Sequence, residues 1–241
     1  MSNNSVFDPS DINHEHPDVN GGWFRPAIFG AMDGLVSNFA LIMGVAGGTI
    51  ASDSTQPVIL AGFAGLAAGA FSMAAGEYTS VASQSELARE QVAVERREIE
   101  LNSEAEEAEL TDMFMDQGVE LETARIVAAQ IHRDPEIAVK VHSMIEMGID
   151  PDDLASPKVA AVSSFVSFAL GAVLPLLPYL LGVSSPMISI VVSLIGLFVF
   201  GVIVTKVTSV AWWYGGLRQL ILGAAAAGLT YVIGMWVGGG L

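Results

Sequence analysis

Residues 29–48 read FGAMDGLVSNFALIMGVAGG. Small and apolar side chains fill the stretch, and about 20 such residues let an α-helix cross the hydrocarbon core of a bilayer. Asp33 nevertheless stands inside it. A carboxylate near the centre of a spanning helix costs on the order of 2.5–3.5 kcal/mol on insertion scales, and intramembrane acids usually handle ions or protons. The stretch therefore predicts both a membrane fold and a site.

Outward from it, spans are expected at 25–50, 57–78, 157–181, 186–205 and 217–237, with Pro26 suited to an opening helical turn. Of the 241 residues, 52% are hydrophobic, which is too apolar for an ordinary soluble domain of this length. The charges are segregated as well. Residues 157–241 carry only Lys158, Lys206 and Arg218 and no acid, whereas residues 86–153 hold nineteen acids. The expected fold is all-α: a multi-pass membrane protein with five transmembrane helices and a cytoplasmic helical insert between spans two and three. Its expected parts are a flexible tail (1–22), spans one and two (23–85), the insert as a metal-binding domain (86–156), and spans three to five (157–241).

Span two has no obvious stop, because neither Gly nor Pro occurs between Gly76 and Gly118. The helix is expected to run on into the aqueous phase. Ser103 and Glu106 have the spacing of a capping box, which predicts a new helix there. Further helices are expected at 120–131 and 135–147, with 148–157 as the linker back to the membrane.

All ten basic residues fall in the N-terminal junction, residues 86–158, or around the connection between spans four and five. The positive-inside rule makes those regions cytoplasmic and puts the C-terminus outside, in a multi-pass cell-membrane protein. Trp212, Trp213 and Tyr214 fit an interfacial belt. The N-terminal segment lacks the basic n-region and apolar core of a signal peptide and is read as a retained tail. His14 and His16 lie in it, where a His-Glu-His run is most simply solvated. The absence of cysteine excludes disulfides, thiolate metal sites and cysteine nucleophiles. A net charge of −16 argues against a nucleic-acid partner, which needs a basic face. The acidity, with seven Arg to three Lys, is a weak hint of a salt-loving source.

Two constellations carry chemistry. Glu77 is the other acid within a span, and antiparallel crossing lets it share a depth with Asp33. Met73 lies one turn before Glu77 on the same face, and Gly65 and Gly69 continue that stripe. Carboxylate with thioether suits a divalent transition metal such as Fe²⁺ better than Mg²⁺ or Ca²⁺. The second constellation is Glu95 and Glu98 with Glu106 and Glu109, two pairs spaced three apart and separated by eleven. A continuous helix would align the pairs, whereas a break at Ser103 would let them converge. Glu146, between Met144 and Met147, could fold against them; a solvated acidic face is the plain alternative. Enzymatic readings find no support: the spans offer one aspartate, not an aspartyl dyad, and no Glu-x-x-His motif of a ferritin-type di-iron site occurs.

The segments GAMDGLVSNFALIMGVAGG, AGFAGLAAGAFSMAAGEYTSVASQSE, SPKVAAVSSFVSFALGAVLPLLPYLL and GLRQLILGAAAAGLTYVIG together resemble the vacuolar iron transporter family, from about Trp23 to Gly234. The resemblance implies five spans, a homodimer, and a cytoplasmic helical metal-binding domain between spans two and three. It implies export of cytosolic Fe²⁺, often with Mn²⁺, in exchange for protons, with no prosthetic group; Co²⁺ and Zn²⁺ are further candidate ions. A pathway at the dimer interface would use Asp33 and Met73, with Glu77 beside them. The metal domain would use Glu95, Glu98, Glu106, Glu109 and Glu146, with Met144 as a further candidate ligand. The methionine pair implied just before Glu146 is not present as a pair; His142 and Met144 stand nearby, and whether His142 or Met147 binds metal stays open. A non-transporting membrane metal sensor is the rival reading.

Overall fold

The computed structural model describes residues 22–50, 54–208 and 210–240. Seven helices and no strand occur among these residues: α1 (Phe24–Gly48), α2 (Gln56–Asp116), α3 (Leu121–Ile131), α4 (Pro135–Glu146), α5 (Pro157–Leu180), α6 (Pro186–Thr208) and α7 (Trp212–Gly240). Five of them, α1, α2, α5, α6 and α7, are long and apolar enough to cross a membrane. The N-terminal tail with His14 and His16 lies outside the described residues.

α1 is the hub. It packs on α5, α7, α2 and α6, and its Leu35, Phe39, Ile42 and Met43 form the main core with Leu176, Tyr179 and Leu197. Close approach depends on missing side chains. A Cβ at Gly34 would run into the Phe168 carbonyl of α5, and one at Gly171 into the Ala31 carbonyl of α1. Two backbones can meet this closely only where one of the facing residues has no side chain in the way, the usual basis of tight contact between membrane helices. Asn38 Nδ2 adds a 2.6 Å bond to the Ala172 carbonyl.

The register of these contacts gives the helix directions. Trp23 meets Ser163, Ala31 meets Gly171 and Asn38 meets Ala172, so α1 and α5 run parallel. Met32 with Gln219 and Ala40 with Thr230 make α7 parallel to both. α2 runs the other way, since Gly62 faces Ile42 while Gly65 faces Asn38. The chain thus crosses the bundle alternately.

α2 continues for 61 residues, far beyond the apolar bundle, and its distal half carries α3 and α4. Ile99, Ala138 and Val139 form a small core there, with Val92 and Ile131 against it. The helix is interrupted at Asn102 (φ −132°, ψ 34°), one residue before the start expected from Ser103. Asn leaves helical geometry readily because its side chain can bond locally, and here Nδ2 donates to Glu98 Oε2 at 2.8 Å. α4 begins at Pro135 as expected, capped by Asp134, whose Oδ1 accepts from the Glu136 and Ile137 amides. α7 begins five residues earlier than the expected 217, so the aromatic belt lies on the helix itself and Gly215 and Gly216 do not break it. Those glycines instead let α7 approach Gly201 of α6.

Candidate metal sites

Two sites follow from this arrangement, one in the bundle and one in the α2–α4 domain. The first is an open groove of about 470 Å³ between α1 and α2, closed at its back by Phe168 of α5. Asp33 enters it from α1, and Met73 and Glu77 enter it from α2. Antiparallel crossing puts the early turns of α1 beside the later turns of the α2 span, so residues 40 or more apart in sequence share a depth. The glycines on α2 make room. A Cβ at Gly69 would strike the Phe168 ring, and one at Gly65 the Leu41 side chain.

Asn38 belongs to this groove too, although no motif in the sequence marks it. It is almost wholly buried, and its Oδ1 has no hydrogen-bond partner. With Nδ2 committed to Ala172, the amide is oriented and the oxygen faces Gly65 of α2. The only sequence signal was an amide within an apolar span, five residues after Asp33. Ser37 is accounted for differently, since its Oγ donates to the Asp33 carbonyl at 2.6 Å.

In the second site Glu95, Glu106 and His142 each offer a ligand atom, and these atoms all lie within 4.8 Å of one another. Glu95 and Glu106 come from opposite sides of the Asn102 interruption; His142 comes from α4. Glu146 lies one turn after His142 on the same face and is close enough to raise the Glu95 carboxyl. Glu109 and Glu98 are close enough to act electrostatically on this pair: Glu109 on both Glu95 and Glu106, Glu98 on Glu106. All five glutamates singled out from sequence therefore gather around one place. Met144 does not join them. It sits two residues from both His142 and Glu146, is 46% exposed, and lines a separate cavity with Ser85 and Asp150.

The electrostatics are those of crowded carboxylates. Burial first, then the charges of Glu106, Glu146 and Glu109, push the Glu95 carboxyl up to about 7. Burial, then Glu109, Glu98 and Glu146, raise Glu106. An imidazole 3.0 Å from a carboxylate would ordinarily be held protonated, yet His142 is pushed down to about 4, by burial first and then by His132. Its Nδ1 does not aim along a hydrogen bond to Glu95, so the two atoms stay unpartnered despite their proximity, and burial prevails. A cation among these atoms would relieve the carboxylate repulsion and use both lone pairs.

The model of the VIT family matches residues 24–235. Vacuolar iron transporter 1 of Oryza sativa subsp. japonica is 29% identical over 228 residues, covering 92% of this chain and 89% of the relative. Vacuolar iron transporter 1 of Arabidopsis thaliana is 31% identical, covering 73% of this chain and 71% of its own length. Protein CCC1 of Saccharomyces cerevisiae is 29% identical, covering 85% and 66%.

Proposed function

Because the chain belongs to the VIT family, whose members are transporters and not enzymes, we propose that it carries Fe²⁺ across a membrane in exchange for protons. The observation that carries this reading is the groove that holds Asp33, Met73 and Glu77 together within the spanning bundle. One carboxylate can hold either a proton or part of a divalent ion, which is the simplest chemistry for exchanging the two. Asp33 and Glu77 supply charge. The Met73 thioether supplies a ligand that no proton occupies, and favours a transition metal over Mg²⁺ and Ca²⁺. Asn38 Oδ1 supplies a neutral oxygen to an ion passing toward the middle of the bundle.

The α2–α4 domain faces the cytoplasm in this reading and gathers the ion before it enters the groove. The distribution of basic residues supports that orientation. Mn²⁺, Co²⁺ and Zn²⁺ fit the same donors. Two copies pair along α2, because a groove open on one side offers too few ligands to a dehydrated ion.

The test is metal entry into sealed proteoliposomes, with Fe²⁺, Mn²⁺, Co²⁺ and Zn²⁺ added on the domain's side in parallel and a pH dye inside. Metal accumulation with opposite proton movement is expected. Binding without accumulation would make the protein a membrane metal sensor.

A further inference from the structure

His142 carries more information than its neighbours. It is wholly buried, and its Nδ1 lies 3.0 Å from Glu95 Oε1 and 3.7 Å from Glu106 Oε2 without a hydrogen bond to either. Glu95 Oε1 is likewise buried and unpartnered. A hydrogen bond would put the oxygen on the axis of the ring nitrogen, and here it is off that axis. Co-ligands of one ion behave differently. Two atoms each about 2.1 Å from a metal stand roughly 3.0 Å apart at a right angle and roughly 3.4 Å apart at a tetrahedral one. The observed separations suit shared coordination.

The other side of the ring bears on which nitrogen is bare. His142 Nε2 lies 3.0 Å from Nε2 of His132, at the C-terminal end of α3. Two ring nitrogens at that distance share one proton, so one donates and the other accepts. If His142 donates from Nε2, its neutral ring leaves Nδ1 as a lone pair directed into the carboxylates. The opposite tautomer would put an N–H at His142 Nδ1 with no oxygen on its axis; the first instead leaves the buried Nδ1–H on His132 without an acceptor, and a cation among the carboxylates is what selects it.

We propose that His142 is a metal ligand through Nδ1, forming with Glu95 and Glu106 a mixed nitrogen and oxygen site, and that His132 is its positioning residue. His132 accepts the Nε2 proton and thereby fixes both tautomer and ring orientation, as partners beyond the ligand shell do for metal-bound histidines. The donor chemistry sets a preference. One imidazole among carboxylates favours Zn²⁺ and Co²⁺ over Mn²⁺ more than carboxylates alone would. The inference rests on the acidic cluster being the metal domain of the proposed transporter, but it concerns the identity of a ligand atom and not transport.

The experiment uses the full chain in detergent with His14 and His16 replaced by Gln, so that His132 and His142 are the imidazoles left. Mn²⁺ is bound and its electron spin echo is examined for ¹⁴N modulation; Zn²⁺, Co²⁺ and Mn²⁺ affinities are measured alongside. A nitrogen signal is expected in this background and should disappear in His142→Gln. That variant should lose at least about tenfold in Zn²⁺ affinity and only about two- to threefold for Mn²⁺. His132→Leu should keep the nitrogen signal while losing about 10- to 100-fold in affinity, and His132→Asn, which retains an acceptor, should recover most of it. The proposal is overturned by absence of bound Mn²⁺, by bound Mn²⁺ without ¹⁴N modulation, or by an unchanged Zn²⁺ to Mn²⁺ ratio in folded His142→Gln. The wild-type nitrogen signal decides the matter even where a variant fails to fold. Failed metal uptake in proteoliposomes would overturn the transport reading and leave this result standing.

Discussion

In the proposed transporter, Asp33 and the Glu95–His142 pair would handle protons in different ways. For Asp33 the groove gives no basic partner, and Asn38, Ser37 and Met73 around it are neutral. Asp33→Asn keeps the shape and removes the exchangeable proton. It should fold and lose most metal-coupled proton flux, at least about tenfold, since in the proposed transporter the carboxylate is the exchanging group. Met73→Leu, nearly isosteric, should weaken Fe²⁺ transport by less while leaving the fold intact. Dye-reported proton flux in proteoliposomes checks both, and wild-type flux in well-folded Asp33→Asn would make the carboxylate structural. In the α2–α4 domain the pH response follows from the pair. Glu95 is raised from 4.5 to about 7, so its contribution to stability is full below 4.5 and lost as pH rises through 7. His142 is lowered from 6.5 to about 4, so its contribution is present above 6.5 and lost as pH falls toward 4. Between 4.5 and 6.5 the two slopes oppose one another, and the pair holds one proton whichever atom carries it. Metal needs Glu95 ionised and His142 neutral, so binding must release that proton below pH 7. Apparent affinity should fall about tenfold per pH unit below 7 and level off above it. Calorimetry in buffers of different ionisation enthalpy measures the release; affinity constant from pH 7 to 5.5 would contradict it.

At the scale of elements the decisive contacts are between backbones. A Cβ at Gly34 or Gly171 meets a carbonyl of the facing helix, and backbone cannot step aside as a flexible side chain can. Gly34→Ala should therefore lower thermal stability in detergent, by about 1–3 kcal/mol as overpacked sites do. Gly228→Ala, with open space around it, should not. Equal melting temperatures for the two variants would show that α1 and α5 do not pack this closely. The sequence made the five long helices legible because hydrophobic runs near 20 residues have one common solution in lipid. It also marked the groove: an acid within a span is expensive, so Asp33 stood out, and helix direction supplied its partners. What stayed hidden depends on tertiary contact. Nothing local says that Asn102 rather than Ser103 interrupts α2, since either residue can leave helical geometry. The sequence left continuity and convergence of the glutamate pairs both open. The interruption, with α4 folded back on α2, brings Glu95 and Glu106 to one imidazole. Met144 looked like a ligand by proximity in sequence. At 100° per residue, two positions from Glu146 is the other face of α4. His142 is four residues from Glu146, and that spacing was the available signal.

For the whole molecule, the alternating directions of the five long helices and the open groove lead to one arrangement. α1, α5 and α7 run one way and α2 and α6 the other, so the start of α1, the start of α5 and the α2–α4 domain share one end of the bundle, and the end of α7 lies at the opposite one. If the domain is cytoplasmic, a reporter in the turn at residue 120 and one at Leu241 should fall on opposite sides of the membrane. The groove adds a second constraint. It opens on the α2 surface where Ser72 and Gly76 are exposed, and α6 has no contact with α2. In a pair built along α2, two copies of the groove face one another, doubling the carboxylates and thioethers available to one ion. The natural absence of cysteine makes this directly testable. Ser72→Cys in native membranes should cross-link between copies with a short bifunctional thiol reagent, and divalent metal should alter the yield by competing for the same space. Ile195→Cys on the exposed face of α6 should not cross-link under the same conditions. Cross-linking through α6 and not through α2 would place the copies back to back, leave each groove facing lipid, and remove the physical basis for a shared pathway.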